Sequence, residues 1–258
     1  MSIDPDLVPI VDRSLAPRGP SMLLQVVREL DLPPDSVALD VGCGSGTHSF
    51  RLATHFGLQV LGIDPVQRHL DLAREARRDE PEEIASRVTF GRGSACELPA
   101  ADFSADLVWC RDVLVHVSSL DDAYAEFARV LRPGGRAVIH QLVATPLLAA
   151  AEAAWLFRAL GLVASSMDPG ATDAAVLRAG LRVDASLDLG SEWGEHDEEE
   201  SGRAGRSLLR AARLQREPDH YRAAMGAAAY DVTLADSLWQ VYRMLGKLSG
   251  RILVLTRP

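Results

Sequence analysis

Little in this chain points to a membrane, a nucleic acid or a metal. No apolar run approaches the roughly 18 residues of a bilayer span. Met1-Ser2-Ile3-Asp4-Pro5-Asp6 carries neither a basic nor an apolar stretch, so no secretory signal is expected. Cations are outnumbered: 27 Lys and Arg against 36 Asp and Glu give a formal charge of -9. A nucleic acid or an anionic lipid surface needs a positive face, so neither is expected as a partner. Aromatic residues make up only 5%. Cys43, Cys96 and Cys110 are odd in number and unpaired in spacing, which suits reduced thiols and a cytoplasmic location. No Cys/His cluster has metal-ligand spacing, and no Ser-His-Asp or P-loop pattern occurs. Internal repeats and low-complexity linkers are also missing. What remains is a globular chain of 258 residues, 47% of them hydrophobic, large enough for one α/β domain or a core with a modest second lobe.

Against that background one segment stands out. Val37-Ala38-Leu39-Asp40-Val41-Gly42-Cys43-Gly44-Ser45-Gly46-Thr47 reads as a short apolar strand, a glycine-rich turn and the start of a helix. Gly42, Gly44 and Gly46 free the backbone and remove the Cβ atoms that would hold a ligand away. Their spacing leans against a dinucleotide, whose G-x-G-x-x-G/A fingerprint needs a small residue where Thr47 stands. Apolar strands follow at 59–63, 87–90, 105–110 and 136–141, alternating with helices at 47–56, 65–78 and 119–131. Arg132-Pro133-Gly134-Gly135 reads as the stop after the last of these helices. Such alternation predicts a parallel, doubly wound sheet. Beyond Gln141 the pattern turns Ala- and Leu-rich and helical, with late strands at 182–188 and 251–256. The expected organisation is a single domain over 1–258: a core at 1–141, helical lid inserts at 142–181 and 190–248, and late strands at 182–189 and 250–257.

Asp64 ends the second strand, where an acid accepts hydrogen bonds from the ribose hydroxyls of a nucleoside. A glycine turn plus a strand-end acid is therefore a nucleoside-cofactor signature. With these residues in place, the chain resembles the class I S-adenosylmethionine-dependent methyltransferases of small molecules. Leu39–Gly46 resembles that family's first motif, Gly62-Ile63-Asp64 its second, and Gly93-Ser94-Ala95-Cys96-Glu97-Leu98-Pro99 its adenine-side loop. Ala105–Val108 through His116, and Arg129–Gly135, resemble its later motifs. The resemblance implies a mostly parallel seven-stranded Rossmann-like sheet whose final antiparallel strand lies beside the fifth, with a helical lid around the late strands. It implies S-adenosyl-L-methionine as cofactor, held by the backbone of Gly42, Cys43 and Gly44. Asp40 would engage its ammonium through water, Asp64 its ribose, Pro65 its adenine ring, and Ser94 and Ala95 the adenine edge. Ser94 stands where many relatives have Asp.

Arg111-Asp112-Val113-Leu114-Val115-His116 resembles the Arg-Asp-x-x-x-His segment of phosphoethanolamine-type methyltransferases, in which the Arg lies by the cofactor and the His serves the acceptor. His116 is thus a candidate general base; the alternative is a helix-start histidine packed on the lid. No Tyr precedes Tyr124, which speaks against a phosphobase acceptor. His140 and Gln141 end the fifth strand and are expected to line the acceptor pocket, His140 as a second catalytic candidate. Trp193, Tyr230, Trp239 and Tyr242 belong to the lid as core or as an aromatic enclosure, and His48 is expected to be a surface or helix-start residue. Glu195–Glu200 and the arginines at 203, 206, 210 and 213 read as a solvated helix. The expected activity is methyl transfer to an O, N or C nucleophile of a small molecule. Alternatives are a quinone- or lipid-type acceptor, or a non-catalytic cofactor-binding regulator; a homodimer is compatible with either.

Overall fold

The apolar runs of the first half become parallel strands, each followed by a helix that packs back on the sheet. A computed structural model describes residues 6–258; Met1–Pro5 lie outside the described residues. The chain runs α1 (Val8–Val11), α2 (Met22–Glu29), β1 (Val37–Val41), α3 (Thr47–Phe56), β2 (Gln59–Asp64), α4 (Gln67–Ala76), α5 (Glu82–Ala85), β3 (Val88–Arg92), β4 (Ala105–Arg111) and α6 (Leu120–Val130). It continues through β5 (Leu131–Ala144), α7 (Ala150–Leu160), α8 (Pro169–Arg178), β6 (Arg182–Asp188), α9 (Glu192–Ser201), α10 (Arg203–Arg216), α11 (Pro218–Met225), α12 (Ala227–Met244) and β7 (Leu248–Thr256). The seven strands form one sheet in the order β3-β2-β1-β4-β5-β7-β6. β7 is antiparallel to both its neighbours and the rest pair in parallel. The expected α/β fold, with its antiparallel strand beside the fifth, is the one observed.

Arg132–Gly135 departs from the reading. It does not end as a loop before a strand; β5 already begins at Leu131, which pairs with Ala105, and the register slips before Leu107 meets Arg136. Proline cannot donate to a ladder, and Gly134 takes a left-handed φ of 78°, so the segment is absorbed as a bulge. Both faces of the central strands are covered, which is why β1 and β4 are almost uninterrupted apolar runs. One cluster packs Leu39, Ile63, Val108 and Phe127, and another packs Val60, Leu107 and Trp109 on the opposite side. α7 and α12 pack on each other beyond the sheet in a third cluster with Leu156, Phe157 and Ala235. Among the described residues no helix is long and apolar enough to cross a membrane.

Gly46 turns the chain from the glycine loop into α3. Its φ is 86°, and a Cβ there would meet Phe90 Cζ at 2.7 Å. A left-handed non-glycine residue costs about 1–2 kcal/mol before any clash. Gly46→Ala is therefore expected to lower stability by at least about 2 kcal/mol in urea denaturation; an unchanged midpoint would contradict it.

Candidate functional site

β1 and β4 are neighbours from which the sheet is wound in opposite directions, and α/β sheets bind ligands beyond the strand ends at such a switch point. The carboxyl ends of these strands deliver the glycine turn and Arg111-Asp112. At Gly42, φ is 74° and a Cβ would lie 2.1 Å from Val113 Cγ2, so the bare backbone is what allows Val113 and the turn to share one wall. The N–H groups of the turn are already engaged: Gly42 and Cys43 donate to the Ile63 carbonyl at 2.7 and 3.0 Å, and Gly44 donates to Asp64 Oδ2 at 3.0 Å. At these three positions the turn thus offers space and carbonyl oxygens rather than free donors.

Asp64 also accepts from Val66 N at 2.9 Å and contacts His69 Nδ1 at 3.1 Å. A carboxylate has about four acceptor positions; one is open, and the half-exposed His69 ring can yield a second to a ligand. It faces a cavity of about 550 Å³ lined by Gly42, Asp64, Pro65, Ser94 and Ala95, together with Asp112, Val113 and His116. Five of the expected cofactor residues therefore meet in one cavity. Cys43, Gly44 and Asp40 do not line it, and Arg111 lies elsewhere.

Asp40 is buried beneath the turn and accepts a 2.6 Å hydrogen bond from Ser49 Oγ. Burial pushes its carboxyl up to about 6, with Ser49 opposing and Asp64 assisting the rise. Because the folded state holds this proton more tightly than the unfolded chain does, stability is lost as pH rises from about 4 through 6. The loss is on the order of 2–3 kcal/mol. Asp40→Asn is expected to flatten that part of the stability–pH curve, read by urea denaturation; an identical slope would contradict it.

A second cavity of about 440 Å³ lies on the other side of Asp112 and His116, which line both spaces. Its further walls include Arg111, His140, Leu160, Trp193, Trp239 and Arg243. Asp112 is held at φ 60°, a left-handed backbone rare outside glycine, and its N–H donates to the His140 carbonyl at 3.0 Å. Strain of this kind costs on the order of 1–3 kcal/mol and persists where the surroundings enforce it. Burial works against the Asp112 carboxylate, but His140 and Arg111 beside it outweigh that and hold it below the ordinary range.

His140 is buried behind Asp112, its ring stacked on Trp193 at 4.2 Å. Its Nδ1 lies 2.8 Å from Asp112 Oδ1, too far off-line for a well-formed hydrogen bond, and Nε2 faces Gly250. It lines the second cavity through its ring and bears on Asp112 more directly than on open space. Gln141, expected beside it, turns inward and donates to the Ser166 carbonyl, tying β5 to the lid. Tyr230 donates to the Leu214 carbonyl at 3.2 Å and Tyr242 to Glu152 at 3.1 Å. Both are buried among the late helices, whereas Trp193 and Trp239 face the cavity.

His116 sits in a short turn, Leu114–His116, after β4. Its Nδ1 lies 3.2 Å from the Gly161 carbonyl at the end of α7. A carbonyl only accepts, so Nδ1 carries the proton there, and in the neutral ring Nε2 keeps its lone pair. Arg111 does not line the cavity that faces Asp64 but the second one. It donates to His48 Nε2 at 2.7 Å and lies 5.6 Å from the Trp193 ring. His48 is in the first turn of α3, as expected, but half-buried; burial first, and Arg111 next, push it down to about 4, so it is neutral at pH 7.

The sequence reading did not find the roles of Asp112, Asp197 and Arg243. Asp112 was visible only as part of a motif, and its left-handed backbone has no signature in the residue itself. Arg243 pairs with Asp197 at 3.3 Å, a contact between helices that no local spacing announces. The acidic run is not simply solvated: Glu198 accepts from Gly205 N at 2.9 Å and Glu199 from Ser14 Oγ at 2.8 Å.

A family model described as a methyltransferase domain matches residues 39–139. The methyltransferase GfsG of Streptomyces halstedii is 38% identical over 129 residues, 50% of this chain and 46% of that protein. The 27-O-demethylrifamycin SV methyltransferase of Amycolatopsis mediterranei is 36% identical over 45% of this chain and 42% of its own length. The chain thus spans about half the length of the curated relatives it matches. Geranyl diphosphate C-methyltransferase from Streptomyces coelicolor, solved with geranyl diphosphate and S-adenosyl-L-homocysteine, superposes with a TM-score of 0.68 over 92% of this chain and 80% of that one, at 15% identity; this likeness concerns the fold. Residues 39–139 thus match a methyltransferase domain, and the sheet order around them is the one the resemblance implies.

Proposed function

We propose that the chain binds S-adenosylmethionine in the cavity between Gly42 and His116, and transfers its methyl group to an O, N or C nucleophile of a small organic molecule held in the adjoining cavity. The observation that carries this reading is the wall of Asp112 and His116 that both cavities share. A methyl group at that wall has a cofactor space behind it and an acceptor space in front of it. The cofactor supplies an activated methyl on a sulfonium, and the protein's share of such an in-line displacement is to align the nucleophile and exclude water.

In this reading Asp64 accepts from the ribose hydroxyls, Pro65 packs on the adenine ring, and Ser94 and Ala95 meet its edge. The bare backbone at Gly42 fits the amino-acid end, with carbonyl oxygens of the turn and the Asp40 charge drawing the ammonium. On the acceptor side His116 Nε2 takes the proton of a hydroxyl or carbon acid as the new bond forms. Asp112 and Arg111 fix the polar end of the acceptor, and His140 orients Asp112 from behind.

Residues 142–181 and 190–248 serve as acceptor-binding inserts over the core at 1–141, supported by Leu160, Trp193, Trp239 and Arg243 on the cavity wall. The apolar side chains Val115, Leu142, Leu160 and Leu162 in the same wall favour an acceptor with a hydrophobic body, so a quinone- or lipid-type molecule is the second reading. A cytoplasmic enzyme without a nucleic-acid partner fits the free cysteines and the acidic charge; light scattering reads the homodimer expectation directly.

Incubation with methyl-labelled S-adenosylmethionine and a panel of phenols, quinols, amines and carboxylates tests the activity. Label is expected in a phenol or quinol. Tight cofactor binding with no label in any class would favour the non-catalytic regulator instead.

A further inference from the structure

The arginines of α10 are exposed, yet three of them converge on one pocket. Arg203, Arg206 and Arg210 repeat at three and four, which sets them on one helical face. With Ser201 and Ser207 they line a pocket of about 360 Å³. The pocket is continuous with the acceptor cavity, because Arg203, Asp236 and Gln240 belong to both walls.

Its charge is unbalanced. Three guanidiniums face one carboxylate, Asp236, which reaches only Arg210, at 3.9 Å. Arg206 donates to the Ser201 carbonyl, which leaves its charge uncompensated. Arg203 makes no hydrogen bond or ion pair among the described residues. Its neighbour Arg243 is held below the ordinary arginine range by burial, against the pull of Asp197, and Arg203 adds to that lowering as a like charge. A local positive excess at the end of a cavity, in a chain of net charge -9, is a standing demand for an anion. Guanidinium forks match the geometry of oxyanions, and convergence of several offsets the weakness of each exposed contact.

We propose that this pocket binds an oxyanion group, phosphate or carboxylate, carried by the acceptor whose body fills the adjoining cavity. The inference rests on reading that cavity as the acceptor's. It narrows the substrate class to molecules with an apolar or aromatic body, a methylatable atom near His116 and an anionic group one pocket further along α10. Arg213, the fourth of the series, does not line the pocket and is not part of the site.

The test is calorimetric titration of sodium pyrophosphate, and in a parallel arm sodium malonate, into the full chain with and without S-adenosylhomocysteine, at ionic strength fixed with NaCl. Saturable binding of at least one anion is expected, weakened at least tenfold in Arg203→Gln/Arg206→Gln. Arg216→Gln, whose guanidinium pairs with Glu217 at 3.2 Å at the far end of the helix, is expected to leave it unchanged. Preference for pyrophosphate assigns phosphate esters, and preference for malonate assigns carboxylates. The variants are expected to bind S-adenosylhomocysteine as the parent does, which checks that the fold survives. No saturable binding of either anion, or equal weakening by Arg216→Gln, would overturn the proposal. Failure of the parent to bind S-adenosylhomocysteine would strike the cofactor reading and leave the anion result to stand on its own.

Discussion

Asp64→Ala is expected to weaken S-adenosylhomocysteine binding by a hundredfold or more in calorimetric titration. A hydrogen bond to a charged group contributes roughly 1.5–3 kcal/mol, and two ribose hydroxyls on one carboxylate lose both together. At about 1.4 kcal/mol per decade of affinity, the sum is a loss on the order of a hundred- to ten-thousandfold. The effect has a second source within the protein. Asp64 also holds the N–H groups of Gly44 and Val66, so its removal loosens the turn that shapes the cavity. Asp64→Asn keeps one acceptor oxygen for these groups and is expected to bind with an intermediate affinity. Equal binding in parent and alanine variant would show that the ligand does not lie along β2.

The second large effect concerns His116. If its Nε2 removes the acceptor's proton, His116→Ala lowers kcat about a hundredfold or more on a hydroxyl or carbon-acid acceptor, the usual reach of general base catalysis. The more telling readout is the pH profile. The parent's rate is expected to rise with pH, and that rise is expected to disappear in the variant while the affinity for S-adenosylhomocysteine stays within a fewfold. An amine that is already neutral needs no base and is expected to be nearly indifferent to the substitution. Full retention of rate across pH on the preferred acceptor would assign His116 to packing against Gly161 and remove it from the chemistry.

Much of the core could be read directly because its determinants are local. The buried run at Val37–Val41, the glycine turn, the strand-end Asp64 and the later motifs all lie within short windows whose residue types fix the backbone and the chemistry. The place of β7 beside β5 follows from the resemblance, since nothing in Arg251–Thr256 by itself names its neighbours. The bulge at Arg132–Gly135 was missed because proline and glycine signal a break without saying whether the ladder resumes beyond it.

The acceptor side was less legible, and for a common reason: its residues act through contacts between distant segments. Gln141 reads like His140 in sequence but points at Ser166, because alternate residues of a strand face opposite sides. Arg203, Arg206 and Arg210 have the spacing of a solvated face. Only the docking of α12 against α10 turns that face into a pocket wall. Asp112 owes its position to a left-handed backbone whose N–H donates to the His140 carbonyl.

A crystal structure with S-adenosylhomocysteine tests the central claim most directly. The ribose is expected on Asp64, the adenine between Pro65 and the Ser94–Ala95 loop, and the sulfur directed at the wall formed by Asp112 and His116. A nucleoside bound outside the Gly42–His116 cavity, or a sulfur turned away from that wall, would contradict the account.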